Sequence, residues 1–201
     1  WIRDSFSVDP WIQFLTNRGY AVLNVNYRGS KGFGKNFLNA GDREWGGKIV
    51  DDVTDAVYWA IENGTACADR IAIMGASFGA YTTLMGLARS PDLFACGIDL
   101  FGVSDLESFL ASIPPQWKVL KRMWNQRVGT LDTREGRALL RERSPLHQAH
   151  SIKKPLFIAQ GANDPRVVQA ESDQIARILD EQGVEVTYLL FPDEGHAFLQ
   201  T

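Results

Sequence analysis

The clearest chemical signal in this chain of 201 residues is the pentapeptide Gly75-Ala76-Ser77-Phe78-Gly79. It follows an apolar, β-branched segment at residues 70–74, which predicts a buried strand, and it precedes a helical pattern at residues 80–89. A serine at such a sharp strand-to-helix turn is typical of a nucleophile presented on strained backbone. We expect both glycines to be required, because a Cβ at either position would collide with the neighbouring strand or helix. The pattern predicts nucleophilic chemistry at Ser77.

A serine hydroxyl is a poor nucleophile at neutral pH, so an imidazole must accept its proton and a carboxylate must orient that imidazole. The chain contains only three histidines. His196 follows the apolar alternation of residues 184–190, and Asp164 follows the apolar run 155–160, so both leave the carboxyl end of a predicted strand. Open α/β sheets place their sites at that edge. Ser77, Asp164 and His196 therefore predict a catalytic triad, in the chain order that sheet-based serine hydrolases use.

Other interpretations of these residues stay open. The serine and Asp164 are also residue types that form ordinary turns. Asp193 is a rival acid, although it lies in the same loop as the histidine base. His147 and His150 are three residues apart on a predicted short helix, a spacing at which two imidazoles could share a metal, but the nearby sequence offers no further ligand. Partly buried or solvated histidines are the simpler interpretation.

The composition restricts the classes of protein to which the chain can belong. With 45% hydrophobic and 22% charged residues, it suits one globular domain with a sizeable core. The net charge is −3 and no basic face is evident, so nucleic acid is not an expected partner, and no apolar run is long enough to cross a membrane. Cys67 and Cys96 stand in no paired motif, which favours free thiols and a cytoplasmic location, with one disulfide as the alternative. The residues leave the oligomeric state open, a homo-oligomer included.

Strands alternating with helices predict the fold class. Predicted strands occupy residues 20–26, 70–74, 94–101, 155–160 and 185–191. Helices alternate with them, and the first begins at Asp9-Pro10 with Trp11 and Phe14 on its apolar face. This alternation predicts an α/β fold with a doubly wound, mostly parallel sheet and helices on both faces. Residues 102–150 have a helical pattern, broken at Pro114-Pro115, and predict a helical insertion between two strands, where a cap or pocket wall would lie.

Several segments, in order along the chain, give a more specific signal than the pentapeptide alone. Through them the chain resembles the catalytic domain of the prolyl oligopeptidase family of serine peptidases, in particular its acylaminoacyl-peptidase-like branch. The matching segments are residues 26–30, 44–47, 51–52, 69–75, 144–145, 161–167 and 195–196.

The resemblance implies a fold, an activity and a set of site residues. It implies an α/β-hydrolase domain that hydrolyses short peptides through an acyl-enzyme, with Ser77 as nucleophile, His196 as base and Asp164 as acid. The amide of Phe78 is then one oxyanion donor, which agrees with its position after the serine. The resemblance implies no cofactor and no metal.

The resemblance also implies substrate contacts. Arg166 stands where some family members bind the P2 carbonyl of the substrate, and a charge-assisted hydrogen bond is chemically reasonable there. A surface arginine that stabilises its own loop is the alternative. The family's apolar wall around the P1 side chain corresponds to Phe78, Val103, Leu106, Phe109 and Val167. Such a wall would suit an uncharged or aromatic P1 side chain.

The chain also departs from the family that it resembles. The resemblance implies an N-terminal β-propeller, a His-Gly-Gly-Pro segment just before the position of Trp1 that supplies a second oxyanion donor, and a C-terminal helix; this sequence carries none of them. We therefore expect residues 1–201 to form a catalytic domain truncated at both ends. Alanines replace family glycines at Ala76, Ala80 and Ala197. An esterase of the same fold and a catalytically inert fragment of the parent enzyme are the alternatives.

Overall fold

A parallel sheet lies at the centre of the molecule. The computed structural model describes residues 3–5, 7–113 and 119–198. Its strands are β1 (Ala72–Ala76), β2 (Cys96–Leu100), β3 (Leu156–Gly161) and β4 (Val186–Phe191). They lie in the order β1-β2-β3-β4, and each neighbouring pair is parallel. Both ends of each strand fall within two residues of the prediction, so the alternating pattern is confirmed for these segments.

Helices connect the strands and precede the first of them. They are α1 (Pro10–Thr16), α2 (Lys35–Asn39), α3 (Lys48–Glu62), α4 (Phe78–Arg89), α5 (Leu106–Ser112), α6 (Lys121–Arg127), α7 (Arg134–Glu142), α8 (Pro145–Gln148) and α9 (Gln169–Glu181), with a 3-10 turn at Ala149–Ser151. Helices α5 to α8 lie between β2 and β3, in the stretch for which the sequence predicts a helical insertion. The predicted break at Pro114-Pro115 lies outside the described residues. None of the described helices is long and apolar enough to span a membrane.

The main core lies between the sheet and helices α4 and α9. Helix α4 follows β1 directly, and its buried side chains include Leu84 and Leu87. Helix α9 contributes Ile175 and Leu179 to the same cluster, together with Ile158 of β3. The opposite face of the sheet carries a smaller cluster formed by Leu100, Phe101 and Ala159, with Met74, Ile98, Phe157 and Phe198 packed against it. The two clusters fix the sheet whose carboxyl edge carries the candidate site.

The predicted strand at residues 20–26 is wrong. The backbone there is not in a sheet ladder, and β1, the nearest strand along the chain, pairs only with β2 among the described residues. Tyr20 and Leu23 remain 63% and 51% exposed, so the apolar alternation is not covered on either side. An extended segment becomes a strand only through a partner that accepts and donates its backbone hydrogen bonds, and alternation alone does not supply one.

Helix α1 forms where the sequence predicts it. Asp9 caps it, because its Oδ1 accepts hydrogen bonds from the amides of Trp11 at 2.8 Å and Ile12 at 3.0 Å. Its apolar face is nevertheless exposed: Trp11 and Phe14 are 54% and 49% exposed, and their rings pack against each other in an edge-on arrangement. The sequence therefore predicts the helix correctly but not its environment.

Candidate active site

Ser77 lies on the turn between β1 and α4. Its φ of 54° and ψ of −114° are strained for a residue other than glycine. Two backbone hydrogen bonds stabilise this conformation: the Ser77 amide donates to the Leu100 carbonyl at 2.9 Å, and the Ser77 carbonyl accepts from the Tyr81 amide at 3.0 Å. The turn is therefore fixed by β2 on one side and by α4 on the other.

The two glycines of the turn have different roles. A Cβ added to Gly75 would lie 2.2 Å from the carbonyl carbon of Gly79, so only glycine fits there, and this expectation is confirmed. For Gly79 the expectation is wrong, since a Cβ there would meet no described atom within 4 Å. The close approach is made by the backbone of Gly79 against Gly75, and the side-chain position of Gly79 faces open space.

Asp164 and His196 are in direct contact. The Nδ1 atom of His196 lies 2.6 Å from Oδ2 of Asp164, whose side chain is fully buried. The other carboxylate oxygen, Oδ1, accepts hydrogen bonds from the amides of Arg166 at 2.8 Å and Val167 at 3.0 Å. These contacts orient the carboxylate, so that the Nδ1–H of the neutral imidazole donates to it and Nε2 remains the acceptor.

The charge on Asp164 is maintained by its hydrogen bonds. Burial by itself would raise the pKa of the carboxyl, but the hydrogen bonds from His196 and from the amides of Val167 and Arg166 outweigh it, so the pKa lies below its usual value. Asp164 is therefore a carboxylate at neutral pH, as a group that orients an imidazole and stabilises its protonated form must be. Asp193, the rival acid, is exposed, and the carboxylate that His196 contacts belongs to Asp164.

The loops that carry Asp164 and His196 are bonded to each other through their backbones. The amide of Asn163 donates to the carbonyl of Glu194 at 2.9 Å, and the Asn163 side chain donates to the carbonyl of Pro192 at 3.0 Å. At the base of both loops, a Cβ on Gly161 would lie 2.5 Å from the carbonyl oxygen of Gly195. Close backbone approach thus brings Asp164 and His196 together.

The end of β2 joins this pair of loops to the serine turn. Leu100 accepts the hydrogen bond from the Ser77 amide, and the next residue, Phe101, packs its ring against the imidazole of His196 with centroids 4.5 Å apart. The Phe101 amide donates to the carbonyl of Ala159 in β3 at 2.8 Å. Ser77 follows β1, Asp164 follows β3 and His196 follows β4, so all three predicted triad residues lie at the carboxyl edge of one sheet, with the end of β2 between them.

An apolar cluster lies beside the serine turn. Val103, Leu106, Phe109 and Val167 are buried in it, and Phe78 packs against it. The structure thus brings together the five residues for which the family resemblance implies a substrate wall. Arg166 is exposed, on the loop whose backbone amides bind Asp164.

Trp45 is the central residue of this cluster, and the sequence analysis does not assign it a role. Its ring is 3% exposed and packs edge-on against Phe78 with centroids 4.4 Å apart. It also packs against Tyr81, Phe109 and Trp124. The Trp-Gly-Gly sequence is the signal from which this role could have been found. Its first glycine, Gly46, approaches α4 so closely that a Cβ would lie 2.5 Å from the Tyr81 hydroxyl.

The histidines and cysteines outside the triad form no cluster in the described part of the chain. His147 is partly buried, and its Nε2 lies 4.0 Å from Oδ1 of Asp105. Among the described residues, no group of three or more histidine, cysteine, aspartate or glutamate side chains could bind a metal ion. Cys67 and Cys96 are free thiols, so they are not bonded to each other.

Comparisons with known proteins found a family match, similar sequences and similar solved structures. The sequence model of the prolyl oligopeptidase family matches residues 6–201. The dipeptidyl aminopeptidase BIII of Pseudoxanthomonas mexicana is 54% identical over 198 residues, which are 98% of this chain and 29% of the relative. The solved structure of a Mycobacterium tuberculosis puromycin-hydrolyzing peptidase has a TM-score of 0.89 and 32% identity, over 98% of this chain and 29% of that one.

A third similarity links the chain to the branch that the sequence resembles. The solved structure of an acylaminoacyl peptidase in complex with Z-Gly-Gly-Phe-chloromethyl ketone has a TM-score of 0.75 and 27% identity, over 86% of this chain and 27% of that one. The chain thus spans less than a third of the length of each of these proteins. It has the α/β-hydrolase fold of these neighbours, and with a family match that covers nearly its whole length it belongs to the prolyl oligopeptidase family of serine peptidases.

Proposed function

We propose that this chain hydrolyses short peptides through an acyl-enzyme, with Ser77 as nucleophile, His196 as general base and Asp164 as the orienting acid. The contact between His196 Nδ1 and the buried carboxylate of Asp164 carries the proposal. It supports the tautomer in which Nε2 accepts a proton, as a general base requires. The shared edge of the sheet and the strained turn at Ser77 support the assignment of the nucleophile.

In the proposed reaction, His196 Nε2 removes the proton of the Ser77 hydroxyl as Oγ attacks the peptide carbonyl. The resulting imidazolium is stabilised by Asp164 and donates its proton to the leaving amine, so that the C–N bond breaks and an acyl ester remains on Ser77. Water then attacks the ester while His196 accepts its proton. The proton returns to Ser77 Oγ as the acid product leaves, which restores the starting state.

The amide of Phe78 is the proposed donor to the oxyanion. It lies in the first turn of α4, a helix of 12 residues, where the aligned peptide dipoles favour negative charge. The Phe78 ring packs against Tyr27, Trp45 and Tyr81, with centroid distances of 5.6, 4.4 and 5.7 Å. These contacts support the proposal, because they restrict the Phe78 side chain next to the amide.

The proposed substrate is a peptide with an uncharged, apolar side chain at P1. The buried wall of Val103, Leu106, Phe109 and Val167 supports this, and Arg166 is the proposed ligand of the P2 carbonyl. The acylaminoacyl peptidase with which the chain shares its fold was solved with a peptide ketone that ends in phenylalanine. We further propose that the activity belongs to a protein longer than this chain, as in the relatives of which it spans 29%.

A fluorophosphonate probe tests the nucleophile, and paired substrates test the reaction class. In the full-length protein, we expect the probe to label Ser77 and a Ser77→Ala variant to stay unlabelled. Anilides of short peptides with phenylalanine at P1 are expected to be cleaved at rates that Ser77→Ala reduces by at least about 10³-fold.

Aryl esters of the same acyl groups serve as the matched comparison. Turnover of esters without any turnover of anilides would remove the peptidase assignment and leave the esterase. A wild-type protein that the probe does not label, although it is folded by circular dichroism, would instead indicate the catalytically inert alternative.

A further inference from the structure

Glu171 is a buried carboxylate that the proposed reaction does not use. It is the third residue of α9, the helix that follows the loop of Asp164, and its side chain is 1% exposed. Carboxylates at helix N-termini usually face solvent, where they interact with the helix dipole at little cost. Burial raises the pKa of Glu171, against the opposing effect of its hydrogen bonds. The position is therefore costly unless its hydrogen bonds serve the surrounding structure.

Apart from the side chain of Gln174 in the same helix, which donates to Oε2 at 3.3 Å, the donors to this carboxylate come from the segment that follows β2. Its Oε2 accepts hydrogen bonds from the amides of Ser104 at 2.9 Å and Asp105 at 2.8 Å. Its Oε1 accepts from the hydroxyl of Ser108. The Ser104 hydroxyl in turn donates to the main-chain carbonyl of Glu171 at 2.6 Å and accepts from Gln174 at 2.8 Å.

These donors alternate with the apolar wall along the chain. Ser104 and Asp105 lie between Val103 and Leu106, both of which are buried in the same cluster as Val167. Val167 precedes Val168, the N-cap residue of α9, and the amide of Val167 donates a hydrogen bond to the carboxylate of Asp164. One carboxylate therefore joins the two stretches of chain that contribute to the wall.

We propose that Glu171 is a positioning residue that sets the spacing between Val103 and Leu106 on one side and Val167 on the other, and thereby the preference for a bulky apolar P1 side chain. This inference rests on the proposed peptidase function for its effect on substrates. Its effect on the 103–109 segment does not depend on any activity.

Two substitutions separate positioning from charge. Glu171→Ala leaves the buried amides of Ser104 and Asp105 without an acceptor, so the segment must shift to recover hydrogen bonds. Glu171→Gln keeps one oxygen for both amides, and its NH₂ group can donate to the Ser108 hydroxyl, whose single proton can then be donated to the carbonyl of Asp105, 3.1 Å away. Glu181→Ala is the matched control, since Glu181 is an exposed carboxylate of the same helix.

The first experiment compares kcat/KM for two anilides that differ only in phenylalanine or alanine at P1, in the full-length protein. The ratio of the two values does not depend on the amount of active protein. We expect Glu171→Ala to lower the preference for phenylalanine by about tenfold, mainly through KM, while Glu171→Gln and Glu181→Ala keep it within about twofold. Equal losses for both substrates in Glu171→Ala would overturn the proposed effect on specificity.

Amide hydrogen exchange of residues 103–109 is the second measurement, and it needs no turnover. We expect faster exchange in this segment for Glu171→Ala, with exchange close to that of the wild type in the other two variants. Unchanged exchange in Glu171→Ala would overturn the positioning role. A wild type that cleaves neither anilide would count against the proposed function, while the exchange result would still decide the positioning role of Glu171.

Discussion

The ring of Phe101 lies against the imidazole of His196, with centroids 4.5 Å apart and planes inclined at 57°. Phe101 has a left-handed backbone, with φ of 50°, directly after the strand that binds the Ser77 amide. The same ring also packs edge-on against Phe198, two residues after the base. The imidazole is therefore oriented by a carboxylate at one edge and by an aromatic ring on another side.

Phe101→Leu tests whether this contact matters for the reaction. Leucine keeps an apolar side chain at the position but removes the flat surface, so we expect kcat to fall about tenfold with little change in KM, because small displacements of a base are costly. Steady-state kinetics on protein of verified fold measures both values. Phe33→Leu is the matched control, since Phe33 is 43% exposed. Equal kcat values in wild type and Phe101→Leu would contradict this role.

Asp164→Asn is expected to lower kcat by about 10⁴-fold, because an amide at this position favours the wrong imidazole tautomer. Asp193→Asn is the control from the exposed rival acid, and its kcat should stay within about twofold of the wild-type value.

The lowered pKa of Asp164 also makes the free energy of unfolding depend on pH. The ionised carboxylate stabilises the folded state above the unfolded-state pKa of 3.8, and this stabilisation is lost as the pH falls through the lower folded-state pKa. Unfolding free energies measured below pH 4 should therefore converge for wild type and Asp164→Asn.

Asp99→Asn is expected to stabilise the protein at neutral and alkaline pH. Burial raises the pKa of Asp99 to about 7, against the hydrogen bond that its Oδ1 accepts from the Gly102 amide. Between pH 4 and 7, the folded state retains a proton that the unfolded state has lost, so stability falls as the pH rises through this window. Asparagine can still accept from Gly102, and the gain above pH 7 should reach at most roughly 4 kcal/mol.

Urea unfolding at several pH values measures this gain. The wild type should lose stability between pH 4 and 7 relative to Asp99→Asn, while Asp180→Asn, at an exposed position of α9, should follow the wild type. Parallel pH profiles for wild type and Asp99→Asn would show that the buried carboxyl does not titrate in this range.

Ala197→Gly is expected to stabilise the protein. Ala197 directly follows His196 and has φ of 91°, a backbone conformation that residues other than glycine rarely adopt. Removing the Cβ should raise the unfolding free energy by about 1 kcal/mol. Ala138→Gly, the same chemical change at an exposed position of α7, should lower it by about 0.5–1 kcal/mol. Losses in both variants, measured by urea unfolding, would contradict the strain at Ala197.

Trp45→Leu is expected to lower the unfolding free energy by about 2–4 kcal/mol, because a buried ring is lost from the centre of an aromatic cluster. It should also lower kcat, since the Phe78 ring loses its nearest aromatic partner. Trp59→Leu, at a residue that is 56% exposed, should change stability by less than about 0.5 kcal/mol. A wild-type kcat in Trp45→Leu would show that the cluster does not affect the proposed oxyanion donor.

The sequence predicts the acid–base pair because local rules determine it. Asp164 and His196 each follow an apolar run with strand spacing, and parallel strands bring their carboxyl ends to one edge. Gly75 is predictable for a similar reason, since a strand-to-helix turn this tight leaves no room for a Cβ. Residues 20–26 are different, because an alternating pattern predicts an extended backbone but does not identify a pairing partner.

Glu171 and Trp45 could not be assigned from the sequence. A glutamate in the first turn of a helix is the ordinary solvent-exposed pattern, and its burial depends on Ser104, Asp105 and Ser108, which arrive from 63 to 67 positions away. Trp45 precedes two glycines in a loop, and its contacts with Phe78 and Phe109 come from the tertiary fold. Long-range packing therefore determines the burial of Glu171 and the contacts of Trp45.

The close approach at Gly161 has a consequence for how such a protein can diversify. Asp164 and His196, the proposed proton-transfer pair, follow β3 and β4, whose loops contact each other through main-chain atoms, whereas most of the apolar wall is carried by the chain between β2 and β3. The proposed chemistry and the proposed selectivity overlap at Phe78 and Val167, so the wall residues between β2 and β3 are the ones that can change substrate preference with the least effect on Asp164 and His196.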